Sequence, residues 1–207
     1  MIKIPANYVV VDLETTGLDP SSDKIIEIGV KRVHLGQPNP PEAVLVRWPG
    51  LVLPQFIEDL TGITDKDLEK NGLPIEDALS WLTERISAWP LVGHNIINFD
   101  RLFLEKALND CRPGLGHLRQ LDHYIDTAGL FKALLTGIGR EEGESPSGWM
   151  LRVLSTKYYG VRFSLDSACK HFGISIDLPA HRASGDVERC YHVLSHLAEG
   201  AQRGAKL

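Results

Sequence analysis

The chain has 207 residues, of which 43% are hydrophobic and 24% are charged, and its formal net charge is −5 at pH 7. This composition is typical of a globular protein and excludes a disordered chain, and the sequence contains no apolar run of bilayer-spanning length. Domains that bind nucleic acid usually carry a basic face, but this charge is compatible with an acidic centre and a local basic rim. We expect a single α/β domain over residues 1–207.

The cysteines and the first residues indicate the compartment. Cys111, Cys169 and Cys190 show no Cys-x-x-Cys spacing, which argues against a disulfide framework and against a thiolate zinc site. The first residues, MIKIPANYVVVDLE, contain no apolar stretch followed by a small-residue cleavage site. We therefore expect a cytoplasmic protein.

The first predicted strand and turn are VVVDLETTGLDP, residues 9–20. Because side chains alternate along a strand, Asp12 and Glu14 point to the same face as Val10. Two like charges beside apolar surface are unfavourable without a positive partner, and this stretch contains no Lys or Arg. The missing partner could be a metal ion.

Two more strands follow, so three antiparallel strands precede a series of alternating helices and strands. Residues 49–61 are expected to form a long irregular connection, and the polar segment 136–150 an exposed loop. This order predicts a mixed sheet with helices on both sides. The further predicted elements are strands at 24–35, 43–48 and 91–94, helices at 74–89 and 98–110, a strand and helix at 123–135 capped by Asp126, a helix capped by Ser164 and ended by Gly173, and a last helix closed by Gly200.

Two of the predicted helices begin with an acid on their apolar face. Asp100 shares the stripe of Phe103, and Asp186 shares that of Cys190. Each acid taken alone is explained by the helix dipole, which favours acids in a first turn. Likewise, the acids of the first strand could be solvated at its end, so only the joint pattern indicates a shared site.

A shared site explains why separate elements each direct a carboxylate inward. Asp12, Glu14, Asp100 and Asp186 would meet around hard divalent cations, Mg²⁺ or Mn²⁺, which suit an all-oxygen site. His181 lies on a loop just before the last helix, and it could deprotonate a metal-bound water.

Other polar residues that could belong to a site have an ordinary structural explanation. His192 and His196 lie four residues apart on one helix, but a third and fourth zinc ligand is not apparent, so a solvated face is the preferred interpretation. Glu27 interrupts the second strand, and hydrogen bonding within the sheet explains it equally well.

With these residues, the chain resembles the DEDDh-type 3′–5′ exonucleases of the DnaQ-like group, which includes polymerase proofreading subunits and ribonuclease T. The matching elements are DLETTG for D-x-E-T-T-G, GHNIINFD for H-N-x-x-F-D and HRASGD for H-x-A-x-x-D. The resemblance extends from Val9 to about Val193, and the main departure is the extra length between Leu135 and Ser164.

The resemblance implies a ribonuclease H-like fold with a mixed five-stranded sheet, three antiparallel strands followed by parallel ones. It also implies a two-metal mechanism, with ions about 3.5–4 Å apart at the scissile phosphate. Asp12 would contact both ions, Glu14 and Asp186 would hold the ion that carries the attacking water, and Asp100 would complete the site, partly through water. His181 would be the general base, and nucleoside 5′-monophosphates would leave from the 3′ end.

By the same resemblance, a further set of residues binds the 3′-terminal nucleotide. Backbone groups of the Thr-Thr-Gly turn would hold the terminal 3′-hydroxyl and base, a leucine would wedge beside that base and a phenylalanine would pack against it. Core packing is the alternative for these two apolar residues, and the His-Asn pair could only tie down its loop. The residues are Thr15, Thr16, Gly17, Leu18, His94, Asn95 and Phe99.

The expected substrate is a single-stranded DNA 3′ end, in DNA replication or repair. An exoribonuclease that trims RNA 3′ ends is the near alternative, since the 2′-hydroxyl decides between them. A non-catalytic adaptor of the same fold is a distant alternative. A polymerase or other protein partner, and a homodimer, both stay open.

Overall fold

The structure is a computed structural model that describes residues 3–111, 121–178 and 181–202. Its strands are β1 Tyr8–Thr15, β2 Ile25–His34, β3 Gln37–Pro38, β4 Glu42–Arg47, β5 Leu73–Pro74, β6 Leu91–Gly93 and β7 Tyr124–Asp126. Its α-helices are α1 Gln55–Thr61, α2 Asp65–Asn71, α3 Ile75–Ile86, α4 Asp100–Cys111, α5 Thr127–Thr136, α6 Pro146–Ser155, α7 Leu165–Phe172 and α8 Ala183–Gln202.

The described strands form one mixed sheet in the order β5-β4-β2-β1-β6-β7, with β3 paired to β2. Pairing is antiparallel between β1 and β2 and between β2 and β4, whereas β6 and β7 continue the sheet in parallel. The prediction of three antiparallel strands followed by parallel ones is confirmed. The sheet has seven strands, and five were expected; the two additional strands, β3 and β5, have two residues each. Such short strands carry no periodic pattern that a sequence could reveal.

β1 lies at the centre of the sheet, and its apolar residues are buried on both faces. Helix α3 packs against α4 and the sheet, and α8 packs against α5, α7 and the sheet. The register places Asp12 opposite Gly29 and Glu14 opposite Glu27 on β2. Both acids therefore lie where β1 ends, on the face that also carries Tyr8 and Val10.

The region before α3 is more ordered than the sequence indicated. Residues 49–61, expected to be an irregular connection, include α1, which Gly62 ends in the left-handed conformation at φ 68°. Helix α2 then starts with a capping box, in which the Thr64 hydroxyl accepts from the backbone N–H of Asp67. Both helices have seven residues, too few for a clear apolar period.

The predicted exposed loop at 136–150 is correct only over its first part. Helix α6 begins at Pro146, after Ser145 caps it by accepting from the backbone N–H of Gly148. Trp149 is buried, and its indole N–H donates to the carbonyl of Ile138 at 3.0 Å. The polar residues before Pro146 dominated the composition of the segment and hid this helix.

Several helix ends agree with the sequence. Asp126 caps α5 by accepting from the backbone N–H groups of Ala128 and Gly129, and Ser164 caps α7, which Gly173 ends at φ 67°. The expected end at Gly200 is wrong, because α8 continues to Gln202. Within the described part of the chain, none of the helices combines the length and apolar character needed to cross a bilayer.

The start of α8 lies directly on β2, and this contact depends on a glycine. A Cβ atom at Gly29 would lie 2.6 Å from the carbonyl carbon and oxygen of Ala183, the first residue of α8. Backbone atoms cannot move aside as a flexible side chain can. Gly29 therefore sets how closely α8 approaches the strand that pairs with Asp12.

We predict that Gly29→Ala lowers the free energy of unfolding by about 1–3 kcal/mol, the cost typical of overpacking a well-packed interior. Urea denaturation followed by circular dichroism measures this change. Gly139→Ala is the matched control, because a Cβ there meets nothing within 4 Å. Equal stability of the two variants would contradict the close approach.

Candidate active site

Three carboxylates from two distant parts of the chain meet at the end of β1. Oxygens of Asp12 and Glu14 on β1 and of Asp186 in the first turn of α8 all lie within 4.8 Å of one another. All three side chains are partly buried. The contact between α8 and β2 at Gly29 brings Asp186 to the acids of β1.

Asp100 lies beside this group without belonging to it. It is the first residue of α4, its exposed fraction is 3%, and its Oδ1 accepts from the backbone N–H of Leu13 at 3.0 Å. This bond attaches α4 to β1 between Asp12 and Glu14. The structure therefore gathers all four predicted acids, three at close range and the fourth held by the backbone next to them.

Burial and mutual repulsion make the ionised cluster unfavourable by itself. Burial raises the pKa of Asp12 well above its ordinary value, and the charges of Asp100, Asp186 and Glu14 raise it further. Burial and neighbouring carboxylates raise the pKa of Glu14 to about 8. Burial raises the pKa of Asp100 to about 7, although hydrogen bonds from the backbone oppose the shift.

The donor set fits a hard divalent cation. It consists of carboxylate oxygens, which Mg²⁺ and Mn²⁺ prefer, and it contains no thiolate. The pKa of Asp186 is also raised by burial, even though Arg189 Nη1 lies 2.6 Å from its Oδ1 and acts in the opposite direction. One guanidinium therefore compensates only part of the negative charge in the cluster.

His181 is exposed and lies two residues before the start of α8, with a left-handed backbone at φ 56°. Its backbone hydrogen-bonds to Asp186, so the histidine is held next to the carboxylate cluster. A non-glycine residue in this conformation is uncommon and requires support from its surroundings.

Glu27 provides that support, a role that the sequence interpretation missed. It accepts from Arg182 Nη2 at 2.8 Å and from the backbone N–H of Ala183 at 2.8 Å. Its side chain is 2% exposed and lies on the strand opposite Glu14. Glu27 thus fixes the two residues that follow His181. The available signal was an acid inside an apolar strand, but its partner lies 155 residues away in the sequence.

The residues after Glu14 form a tight, internally bonded turn. The Thr15 hydroxyl donates to the carbonyl of Gly17 at 2.6 Å, and the Thr16 hydroxyl donates to Asp23 Oδ1 at 3.1 Å. Leu18 projects from this turn and is 84% exposed. Leu18, four residues after Glu14, is therefore not part of the core.

Phe99, His94 and Asn95 have structural contacts. Phe99 packs against the core, with its ring centroid 5.1 Å from that of Phe103. His94 lies between Thr127 Oγ1 at 3.0 Å and the carbonyl of Phe163 at 2.8 Å, and burial lowers its pKa to about 4.

Asn95 has a left-handed backbone at φ 65°, and its N–H donates to Asp126 Oδ1 at 3.0 Å. These contacts favour the interpretation that the His-Asn pair ties down its loop. The sequence predicted Asp126 only as the cap of α5, and its second role was missed: the same carboxylate also accepts from the N–H groups of Asn95 and Ile97.

His192 and His196, which the sequence analysis did not assign as zinc ligands, contact different residues. His192 Nε2 lies 3.3 Å from Glu188, and the ring of His196 stacks on Phe172 with centroids 5.3 Å apart.

The sequence matches the model of the exonuclease family RNase_T over residues 9–194. The DNA polymerase III PolC-type of Thermotoga petrophila is 38% identical over 134 residues, which cover 63% of this chain and 9% of that protein. The 3′-5′ exonuclease DinG of Staphylococcus aureus is 35% identical over 131 residues, which cover 61% of this chain and 13% of that protein. The chain therefore corresponds to a small part of each of these relatives.

Solved structures show the same fold. The zinc-bound E. coli ExoI–ssDNA complex superposes with a TM-score of 0.72 at 19% identity, covering 97% of this chain and 42% of the other. Exonuclease X in complex with 5′ overhanging duplex DNA superposes with a TM-score of 0.62 at 22% identity, covering 95% and 94% of the two chains.

We predict that Asp12→Asn raises the melting temperature of the chelator-treated protein, because one like charge leaves the buried cluster. Each kcal/mol of relieved repulsion corresponds to about 2–4 °C for a protein of this size. The same variant should lose most of the rise in melting temperature that Mg²⁺ or Mn²⁺ produces in the unmodified protein. Calorimetry at pH 8, with chelator and with each metal, measures both effects.

Glu142→Gln is the control, because it removes one negative charge from an exposed residue outside the cluster. It should leave both the metal-free melting temperature and the metal-induced rise unchanged. An Asp12→Asn protein that is no more stable without metal, and that still responds fully to metal, would contradict the shared site.

Proposed function

Because the chain belongs to the RNase_T exonuclease family, we propose that it is a metal-dependent 3′–5′ exonuclease acting on single-stranded DNA. The observation that carries the proposal is the convergence of Asp12, Glu14 and Asp186, whose oxygens lie within 4.8 Å of one another. A hydrolase of phosphodiesters needs positive charge at the scissile phosphate, and this acidic cluster can concentrate cations there.

We propose that the cluster holds two Mg²⁺ or Mn²⁺ ions. Asp12 would contact both, Glu14 and Asp186 would complete one of the sites, and Asp100 would contribute partly through water. Bound divalent ions supply Lewis-acid stabilisation of phosphate charge and a water of lowered pKa. The protein contributes rigidity, since Leu13 N–H holds Asp100 and the sheet holds Asp12 and Glu14.

His181 is the proposed general base. It is exposed, and its backbone is tied to Asp186 while Glu27 fixes the residues that follow it. A base in this position would accept a proton from the attacking water, and a nucleoside 5′-monophosphate would leave.

The proposed grip on the 3′-terminal nucleotide is the turn of Thr15, Thr16 and Gly17 together with Leu18. The Thr15 and Thr16 hydroxyls and the Thr16 N–H are already used in hydrogen bonds, so the proposed contacts to the terminal 3′-hydroxyl and base come from the remaining backbone groups of this turn. Leu18 would wedge beside the terminal base. Apolar and stacking contacts tolerate any base, so we propose little sequence preference.

DNA is the proposed substrate because fold relatives were solved with single-stranded and with duplex DNA. The likeness to the PolC-type polymerase supports a polymerase as a proposed partner. An exoribonuclease and a non-catalytic adaptor of the same fold are the alternatives that the following assay distinguishes.

We predict that 5′-labelled single-stranded DNA shortens one nucleotide at a time with Mg²⁺ or Mn²⁺, and that chelator stops the reaction. Asp12→Ala should abolish turnover while the folded spectrum is retained. The assay compares single-stranded DNA, duplex DNA and single-stranded RNA on a denaturing gel. A ladder from RNA alone would favour the exoribonuclease, and binding without shortening would favour the adaptor. Full activity of Asp12→Ala would contradict the site.

We also predict that His181→Asn lowers kcat by about 10²–10⁴-fold, the usual contribution of a general base. KM should change little, because the ring is assigned to proton transfer and not to binding. His171→Asn, an exposed histidine on α7, is the control and should keep normal kcat. If His181→Asn keeps normal kcat, the assignment of the base is wrong.

A further inference from the structure

We propose that residues 157–162, Lys-Tyr-Tyr-Gly-Val-Arg, form a binding surface that guides a single-stranded nucleic acid toward the carboxylate cluster. We refer to this segment as the 157–162 loop. The proposal rests on the proposed exonuclease function and extends it to the strand beyond the terminal nucleotide.

The 157–162 loop exposes aromatic and cationic side chains together. Tyr159 is 85% exposed and Tyr158 is 46% exposed, while every tyrosine described outside the loop is more buried. Lys157 and Arg162 are also exposed, and the loop contains no acid. Neither cation makes a salt bridge with any residue in the described ranges. Arg182 and Arg189 beside the carboxylate cluster, by contrast, are paired with Glu27 and Asp186.

The position of the loop connects it to the site. The carbonyl of Phe163, directly after the loop, lies 2.8 Å from His94 Nε2. His94 follows β6, which runs parallel to β1 with Val92 opposite Val10. The chain after β6 therefore leaves the sheet at the same edge as Asp12. The 157–162 loop thus ends, at Phe163, beside the edge of the sheet that carries the acidic cluster.

Both ends of the loop are anchored to the core. Buried Lys132 donates from Nζ to the carbonyls of Leu154 and Thr156, just before the loop. After the loop, the Phe163 ring lies 5.3 Å from Lys132 Nζ and packs edge-on against Phe131. Because both ends of the loop are already fixed, its backbone loses less conformational freedom when a ligand binds, which favours affinity.

The chemistry of this surface fits a single strand. The chain has a net charge of −5, so a phosphate backbone that approaches the acids needs local positive charge. Lys157 and Arg162 provide that charge, and Tyr158 and Tyr159 offer faces on which unpaired bases stack. Bases in a duplex are already stacked on one another, so this surface should favour single strands.

The experiment measures steady-state kinetics on dT12 and on the p-nitrophenyl ester of thymidine 5′-monophosphate. The ester is too short to reach beyond the terminal nucleotide. Tyr159→Ala should raise KM for dT12 about tenfold, as expected for one lost base stack, and should leave the ester kinetics unchanged. Tyr159→Phe keeps the aromatic face and should keep the KM for dT12.

Charge is tested separately by fluorescence anisotropy with labelled dT12 in Ca²⁺ at several salt concentrations. Lys157→Ala should weaken binding and reduce the salt slope by about 0.7 for one lost phosphate contact on a single strand. Lys3→Ala is the matched control, since Lys3 is exposed and precedes β1, at the opposite end of that strand from Asp12. It should change neither quantity.

The outcomes separate this surface from the proposed function. If the unmodified protein releases nucleotides but Tyr159→Ala and Lys157→Ala leave KM, affinity and salt slope for dT12 unchanged, the surface is overturned and the exonuclease stands. If dT12 binds through these residues but neither dT12 nor the ester is hydrolysed with Mg²⁺ or Mn²⁺, the surface stands and the exonuclease function fails.

Discussion

The candidate site depends on one constraint: the fold must hold carboxylates that repel one another close together. Asp12 and Glu14 are held by the central strand, whose neighbours pair with it on both sides. Asp186 reaches them because α8 starts against Gly29, where any side chain would push it away. The raised pKa of each acid shows that the ionised cluster is unfavourable. A bound cation would relieve this repulsion, and the protein would be stabilised by binding it.

A second layer of interactions keeps the parts of the site in register. The backbone of Leu13 holds Asp100, and Glu27 holds Arg182 and the first N–H of α8. These three interactions join segments that are distant in the chain. The acids therefore lie on strands and helices that these bonds join, and only His181 lies on a loop, so the proposed chemistry would be built on rigid elements.

Buried polar groups organise the region around the end of β6 and the start of α5. Asp126 caps α5 and accepts from the loop after β6, while His94 binds the segment that precedes α7. These bonds fix the base of the 157–162 loop next to the edge that carries the acids. The same edge of the sheet thus brings together the acids proposed to hold cations and the exposed basic and aromatic surface proposed to bind a strand.

By itself, the sequence determined the mixed sheet and the order of the main elements, and it identified the four acids and His181 as candidate site residues, because alternation, caps and three motifs in order are local signals. It did not reveal α1 or α2, because helices of seven residues show little apolar periodicity. It also did not reveal the start of α6, because the residues before that helix are polar. Only the tertiary structure assigned Glu27 to Arg182 and His94 to Phe163. Those partners are 155 and 69 residues apart, and a hydrogen bond between them exists only after the sheet and helices pack.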